Sequence, residues 1–246
     1  MEIQKKGGLN WEKFKPFFHE SWHSKMRPFI ESEECDKIYE HLKKEAKRGK
    51  KIAPISSNVF RCFQETPLTE LKVIMIGMCP YHTERNGQPV ADGLLMGCST
   101  TGILQPSLQK FYDGVEQELN NGLNLTIIKS PDVSYLAHQG VLMLNAGLTT
   151  EINKAGSHIA IWEPFIKYFF EHVVPYEGVP IIFLGKEASR YQKYMPPLSW
   201  GFSVSHPASA AYKQSDWDTE GVFTKINKII KGKNNFEIDW LNVVPF

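Results

Sequence analysis

The sequence predicts an α/β fold: a single domain with a central four-stranded parallel sheet flanked by helices. Three observations carry this prediction. Four short apolar runs, 72–76, 140–144, 179–184 and 201–205, have the length and composition of buried strands. Stretches of helical spacing lie between or after them, at 107–119, 162–173, 187–194 and 219–230. Parallel strands need crossovers, and those crossovers are usually helices, so the alternation implies a parallel sheet covered on both faces. Finally, 246 residues with 42% hydrophobic content can bury one substantial core, and neither a repeat nor a low-complexity linker divides the chain. Residues 1–246 are therefore read as one domain, with 1–10 as a flexible leader.

In chain order, the start Met1-Glu2-Ile3-Gln4-Lys5-Lys6-Gly7-Gly8 lacks the apolar core of a signal peptide. No apolar run approaches the ~20 residues needed to span a bilayer, so an intracellular protein with no membrane partner is expected. The first strong helical pattern, 32–47, places Ile38, Tyr39 and Leu42 on its buried face. It runs into the basic stretch 43–51, read as a solvated helix end, with a phosphate-facing patch as the alternative. The four strands then end at Cys79-Pro80-Tyr81-His82, at Asn145, at Gly185-Lys186 and at His206-Pro207. Ligands of open α/β sheets bind outside the carboxyl ends of the strands, and several polar ends on one edge mark a pocket there.

Composition narrows the function classes. A formal net charge of +1 gives no global attraction to polyanions, so any nucleic-acid contact must use a local positive face, and a non-specific DNA coater is disfavoured. The cysteines Cys35, Cys62, Cys79 and Cys98 show no C-x-x-C spacing and are too few for a disulfide framework in a chain of this size, which makes them reduced thiols. No metal-ligand cluster, Walker-type loop or dinucleotide fingerprint occurs, and no cofactor is expected.

Three segments carry a family resemblance: Gly77-Met78-Cys79-Pro80-Tyr81-His82, Leu142-Met143-Leu144-Asn145-Ala146 and Val204-Ser205-His206-Pro207-Ala208. Together they resemble family-1 uracil-DNA glycosylases, whose first loop reads GQDPYH. Ser21-Trp22, Ile52-Ala53-Pro54, Gln105-Pro106-Ser107-Leu108, Ala155-Gly156-Ser157-His158 and Ile238-Asp239-Trp240 extend the likeness in order over nearly the whole chain. The resemblance implies a DNA glycosylase that flips a uracil or modified pyrimidine from single- or double-stranded DNA, acting as a monomer with a replication or repair protein as a further partner. It implies that His206 donates to the departing base, that Asn145 reads the Watson-Crick edge and that Tyr81 blocks the C5 methyl of thymine. Pro106, Ser107, Ser157 and His158 match segments that grip the flanking phosphates. For Ser107, the role of helix N-cap stands beside that of phosphate contact, and the two are compatible.

The departures cluster at the same place. Met78 stands where the family has Gln, and Cys79 stands where it has the catalytic Asp. Cleavage of an N-glycosidic bond builds positive charge on the sugar, and an unperturbed thiol, with a pKa of about 8.5, offers no charge to meet it. Met96 falls where a Phe stacks on the base, exchanging a flat π surface for a thioether. Ala210 falls where a Leu wedge fills the gap left by flipping, with Tyr212 close enough to substitute. The loop 83–91 is longer than the family's. Two alternatives to a slowed or retuned glycosylase follow: a silent DNA-binding or protein-binding module, and a Cys79 nucleophile that traps an abasic sugar.

Overall fold

The computed structural model describes residues 8–120, 127–175 and 177–242. Most of the expected leader, 1–7, lies outside the described residues; Asn10 caps the first helical turn and Leu9 packs on the core. Strands β1 (Val73–Gly77), β2 (Val141–Asn145), β3 (Pro180–Leu184) and β4 (Trp200–Val204) form one parallel sheet in the order β2-β1-β3-β4. All residues of β1, β2 and β3 are buried, which is why these segments read as continuous apolar runs without alternation. The edge strand β4 is mostly part-exposed, and its runs of Trp200-Gly201-Phe202-Ser203 are correspondingly mixed.

Among the described residues, the helices α1 (His23–Ile30), α2 (Glu33–Lys47), α3 (Pro106–Leu119), α4 (Ile159–Tyr168), α5 (Gly185–Ser189), α6 (Pro207–Lys213) and α7 (Val222–Asn234) flank the sheet, with a further short helix at Arg61–Glu65. They pack in two groups. Trp22, Phe29, Phe60, Phe63, Trp162, Phe165 and Phe169 form an aromatic cluster between the N-terminal helices and α4. Phe111 of α3, Trp217, Phe223 of α7 and Trp240 form the second. The helix expected at 162–173 begins earlier, at Ile159, and its last turn, Phe169–Val173, widens to π geometry. The pattern at 187–194 divides into α5 and a 3₁₀ turn, Arg190–Tyr194. Among the described residues, no helix is long and apolar enough to cross a membrane.

One expected burial is wrong. Tyr39 is 42% exposed, while α2 buries Cys35, Ile38 and Glu45. Positions 35, 38, 42 and 45 follow the 3-4-3 spacing of a single stripe, and residue 39 is displaced about 100° around the helix from residue 38. Half of the cations in the basic stretch 43–51, which runs from the end of α2 into the next loop, are paired: Lys43 with Glu40, Lys50 with Glu45 and Glu151, and Lys51 with Glu84. The start of α2 is set by Ser32, whose hydroxyl accepts from the Cys35 amide at 3.3 Å. Ser32→Ala should lower stability by about 1 kcal/mol, read as a fall in Tm of about 2–4 °C on thermal unfolding.

Candidate active site

At the carboxyl end of the sheet lies a cleft of about 1200 Å³. Its floor comes from the register of β1 and β2, which sets Gly77 beside Asn145. The chain then stays paired for two more residues: the Ala146 amide donates to the Gly77 carbonyl at 2.8 Å and the Gly147 amide to the Met78 carbonyl at 2.9 Å. A Cβ at position 77 would stand 2.4 Å from Leu95 Cδ1, the end of a flexible side chain, and 3.6 Å from His206 Nε2, an ordinary van der Waals contact, so the imidazole lies against the end of β1. Asn145 and His206 therefore flank the same glycine.

His206 ends the loop after β4 and caps α6. Its Nδ1 accepts from the Ala208 amide at 3.1 Å, which leaves the proton of a neutral ring on Nε2, the nitrogen nearest Gly77. Burial pushes the ring's pKa down to about 4, so the neutral tautomer holds near pH 7. Gly185, at φ +83°, makes the turn beside it; a Cβ at that position would lie 3.2 Å from His206 Cβ. Asn145 is 2% exposed, and its Oδ1 is buried without a hydrogen-bond partner. An acceptor left in this state costs about 1–3 kcal/mol, and a donor brought to it by a ligand would recover that cost.

The thiol of Cys79 lies in the cleft wall and accepts from the Gly156 amide at 3.2 Å. Burial raises its pKa, an effect that the Gly156 bond only partly offsets, so the thiol is less ionised than a free cysteine. The abasic-trap alternative needs a thiolate, and this direction weighs against it. Tyr81 lines the cleft with its hydroxyl 2.7 Å from Ser107 Oγ. Met96 is 5% exposed and sits at φ +59°, a left-handed conformation uncommon for a non-glycine residue. Glu187 is the single carboxylate among the described lining residues, and it pairs with Arg190 at 2.9 Å. Asp92 lies nearby in sequence but is turned away: it is buried, accepts from the Leu94 and Ser99 amides, and pairs with Arg61 at 3.0 Å.

The structure thus brings Met78, Cys79, Tyr81, Met96, Pro106, Ser107, His206 and Tyr212 to one cleft. Four expected contacts do not line it. Asn145 lies beneath, at the strand end. Ser157 is exposed, but its Oγ is engaged by the Glu151 amide at 2.8 Å. His158 cannot meet DNA: it is 1% exposed, and its ring nitrogens are bound to Glu45 and Thr149. Ala210 is on the buried face of α6, whereas Tyr212, 85% exposed, projects at the rim. Ser107 is not the N-cap of α3, since Gln105 holds that position and Pro106 opens the helix. Lys186, foreseen as a strand end, and Arg190, not foreseen, also line the cleft; their four-residue spacing after the Gly185 turn was the available signal for the second cation.

Relatives fall in one group. The chain is 34% identical over 225 residues to a uracil-DNA glycosylase of Pseudomonas aeruginosa, covering 89% of this chain and 93% of that one. It is 30% identical over 224 residues to a uracil-DNA glycosylase of Acinetobacter baylyi, covering 90% and 91%. Among solved structures, the crystal structure of mimivirus uracil-DNA glycosylase superposes with a TM-score of 0.76 at 18% identity, over 98% of this chain and 96% of that one. A UNG of Nitratifractor salsuginis superposes at 0.63 with 17% identity, over 96% and 100%. These two establish the fold. No family model matches the chain.

Proposed function

The chain belongs to the uracil-DNA glycosylase family, and from that premise we propose that it flips uracil or a modified pyrimidine out of DNA and cleaves the N-glycosidic bond, at a rate lowered by Cys79. One observation carries the reading: a neutral imidazole with its Nε2 proton and a buried, unpartnered amide oxygen flank the same glycine at the base of the cleft. The base is extruded into that space. Asn145 offers its Oδ1 to a ring N–H, and His206 Nε2–H donates to the carbonyl oxygen on which negative charge grows as the bond breaks. A donor that is already neutral and oriented needs no reorganisation as the charge appears. Tyr81, held by Ser107, is the gate against a C5 methyl, with Met78 and Met96 as the apolar walls against which the base lies.

The DNA strand crosses the mouth of the cleft. The first-turn amides of α3, after Pro106, have no partners within the helix and present a positive end to a phosphate. Ser157 and the cations Lys186 and Arg190 face the strand from other sides, and Tyr212 takes the wedge position in place of Ala210. The protein acts as an intracellular monomer and single domain, on single- or double-stranded DNA, with a replication or repair protein as a further partner.

No unpaired carboxylate among the described residues lines the cleft, and this favours a second reading, a silent module that binds DNA without cleaving it. Abasic-site formation decides between the two. Uracil-containing single- and double-stranded oligonucleotides, beside substrates with other modified pyrimidines, are incubated with the protein, treated with alkali and run on a denaturing gel. Strand scission at the uracil is expected. Retained DNA binding with no scission at any base would replace the enzyme with the module.

A further inference from the structure

His158 is fully committed inside the protein, and its hydrogen bonds have only one consistent direction. Glu45 lies 2.7 Å from Nε2 and, as a carboxylate, only accepts, so Nε2 carries the proton. Burial lowers the pKa of His158, against the opposing pull of Glu45, so the ring is neutral and Nδ1 must accept. Its partner at 2.8 Å is the Thr149 hydroxyl, which therefore donates. That hydroxyl in turn accepts from Trp162 Nε1–H at 2.8 Å. The resulting chain runs from Trp162 through Thr149 and His158 to Glu45, where Lys50 supplies the counter-charge. Glu151, on the far side of Lys50, and His41, whose ring centroid is 6.2 Å from that of His158, are the other titratable groups facing it.

Thr149 and His158 are the two ends of one strap. Between them the chain turns out and back, and two amides of the strap and one just before it reach the loop that carries Cys79. Gly147 donates to the Met78 carbonyl at 2.9 Å, Asn153 to the His82 carbonyl at 2.7 Å, and Gly156 to Cys79 Sγ at 3.2 Å. The strap is also closed on itself, since the Glu151 amide donates to Ser157 Oγ at 2.8 Å. Thr149 and His158 are each 1% exposed, so neither touches substrate. We propose that Thr149 and His158 are positioning residues: their mutual hydrogen bond latches the strap 149–158 shut and so fixes the Gly156 amide against Cys79. The latch is separate from the base-reading groups and acts whichever base the cleft takes.

The thiol itself reports on the latch. Cys79 is partly accessible, while Cys35, Cys62 and Cys98 are buried and serve as internal markers of general opening. Alkylation by iodoacetamide, well below Tm, is followed by mass spectrometry in the full chain, with Cys79→Ser confirming the labelled site. Thr149→Val keeps the shape and removes the hydroxyl, and with it the bonds to His158 and from Trp162; it should speed labelling of Cys79 by about tenfold with the other three thiols unlabelled, as expected when local hydrogen bonds are lost. Thr149→Ser keeps the hydroxyl and should restore the slow rate. Labelling of Thr149→Val at the parent rate would overturn the proposal, as would equal rates in the two variants or concerted labelling of all four thiols. The readout uses no substrate, so its failure is distinct from failure of the glycosylase reading.

Discussion

Cys79→Asp is expected to raise uracil excision by about one to three orders of magnitude, the typical worth of a preorganised electrostatic group at a reacting centre. The argument rests on what surrounds the sulfur. The Gly156 amide already donates to it, so a carboxylate placed there would receive a charge-assisted hydrogen bond in an existing position. The thiol is raised in pKa by burial and stays neutral near pH 7, so the parent protein has no charge at this point to meet the developing sugar cation. Glu187 cannot substitute while it is paired with Arg190, and Asp92 is held by Arg61 outside the cleft. Single-turnover excision on uracil-containing single-stranded DNA, with Cys79→Asn as a neutral control of similar shape, measures the effect. A carboxylate-specific gain is the expected outcome. Equal rates for the Asp variant and the parent would mean that the cleft has been rebuilt beyond this one residue.

The parts of this fold that were legible are those where one physical constraint dominates. The strands β1, β2 and β3 are buried on both faces, so each reads as an uninterrupted apolar run bounded by polar turns. The site could be placed at the carboxyl ends of the strands because Asn145 ends β2 and Cys79 and His206 lie two residues past the ends of β1 and β4. What the sequence hid was partnership. His158 carries a polar side chain beside an exposed serine, and nothing local reveals that Glu45, on a helix more than a hundred positions earlier, holds its Nε2 at 2.7 Å. Ser107 has the composition of an N-cap, yet its hydroxyl is 2.7 Å from that of Tyr81 and the cap falls at Gln105. Tyr39 was misplaced on the buried face, although the 3-4-3 stripe of α2 excludes it. The hairpin pairing Glu84–Arg85 with Gln88–Pro89 turns at Asn86 and Gly87, both at positive φ. That Asn-Gly signal was present in the loop and went unread.

The other large effect belongs to the base-reading pair. His206→Ala and Asn145→Ala are each expected to remove most of the remaining excision, about 10² to 10³ in rate for loss of a donor aimed at developing charge, with little change in the far-UV circular dichroism. His206 also makes a prediction with a sign. The form that donates to the base with Nδ1 held by the Ala208 amide is neutral, and protonation would place a second proton on Nδ1 and break that bond. The ring's pKa is lowered by burial from its ordinary 6.5 to about 4. Excision should therefore hold through pH 6 and fall only as the pH approaches about 4, where an unperturbed histidine would impose a fall near 6.5. The same group contributes to stability: the unfolded chain takes up a proton near pH 6.5 that the folded chain refuses until about 4, so the His206 contribution is lost across that interval on acidification and does not change further below it. Comparing single-turnover pH–rate profiles of the parent protein with and without His206→Ala isolates this limb, because the parent has no carboxylate at position 79 to titrate near pH 4. An acid limb that stays near 6.5, or one that persists after His206 is removed, would assign the titration to a different group and take the role of neutral donor away from His206.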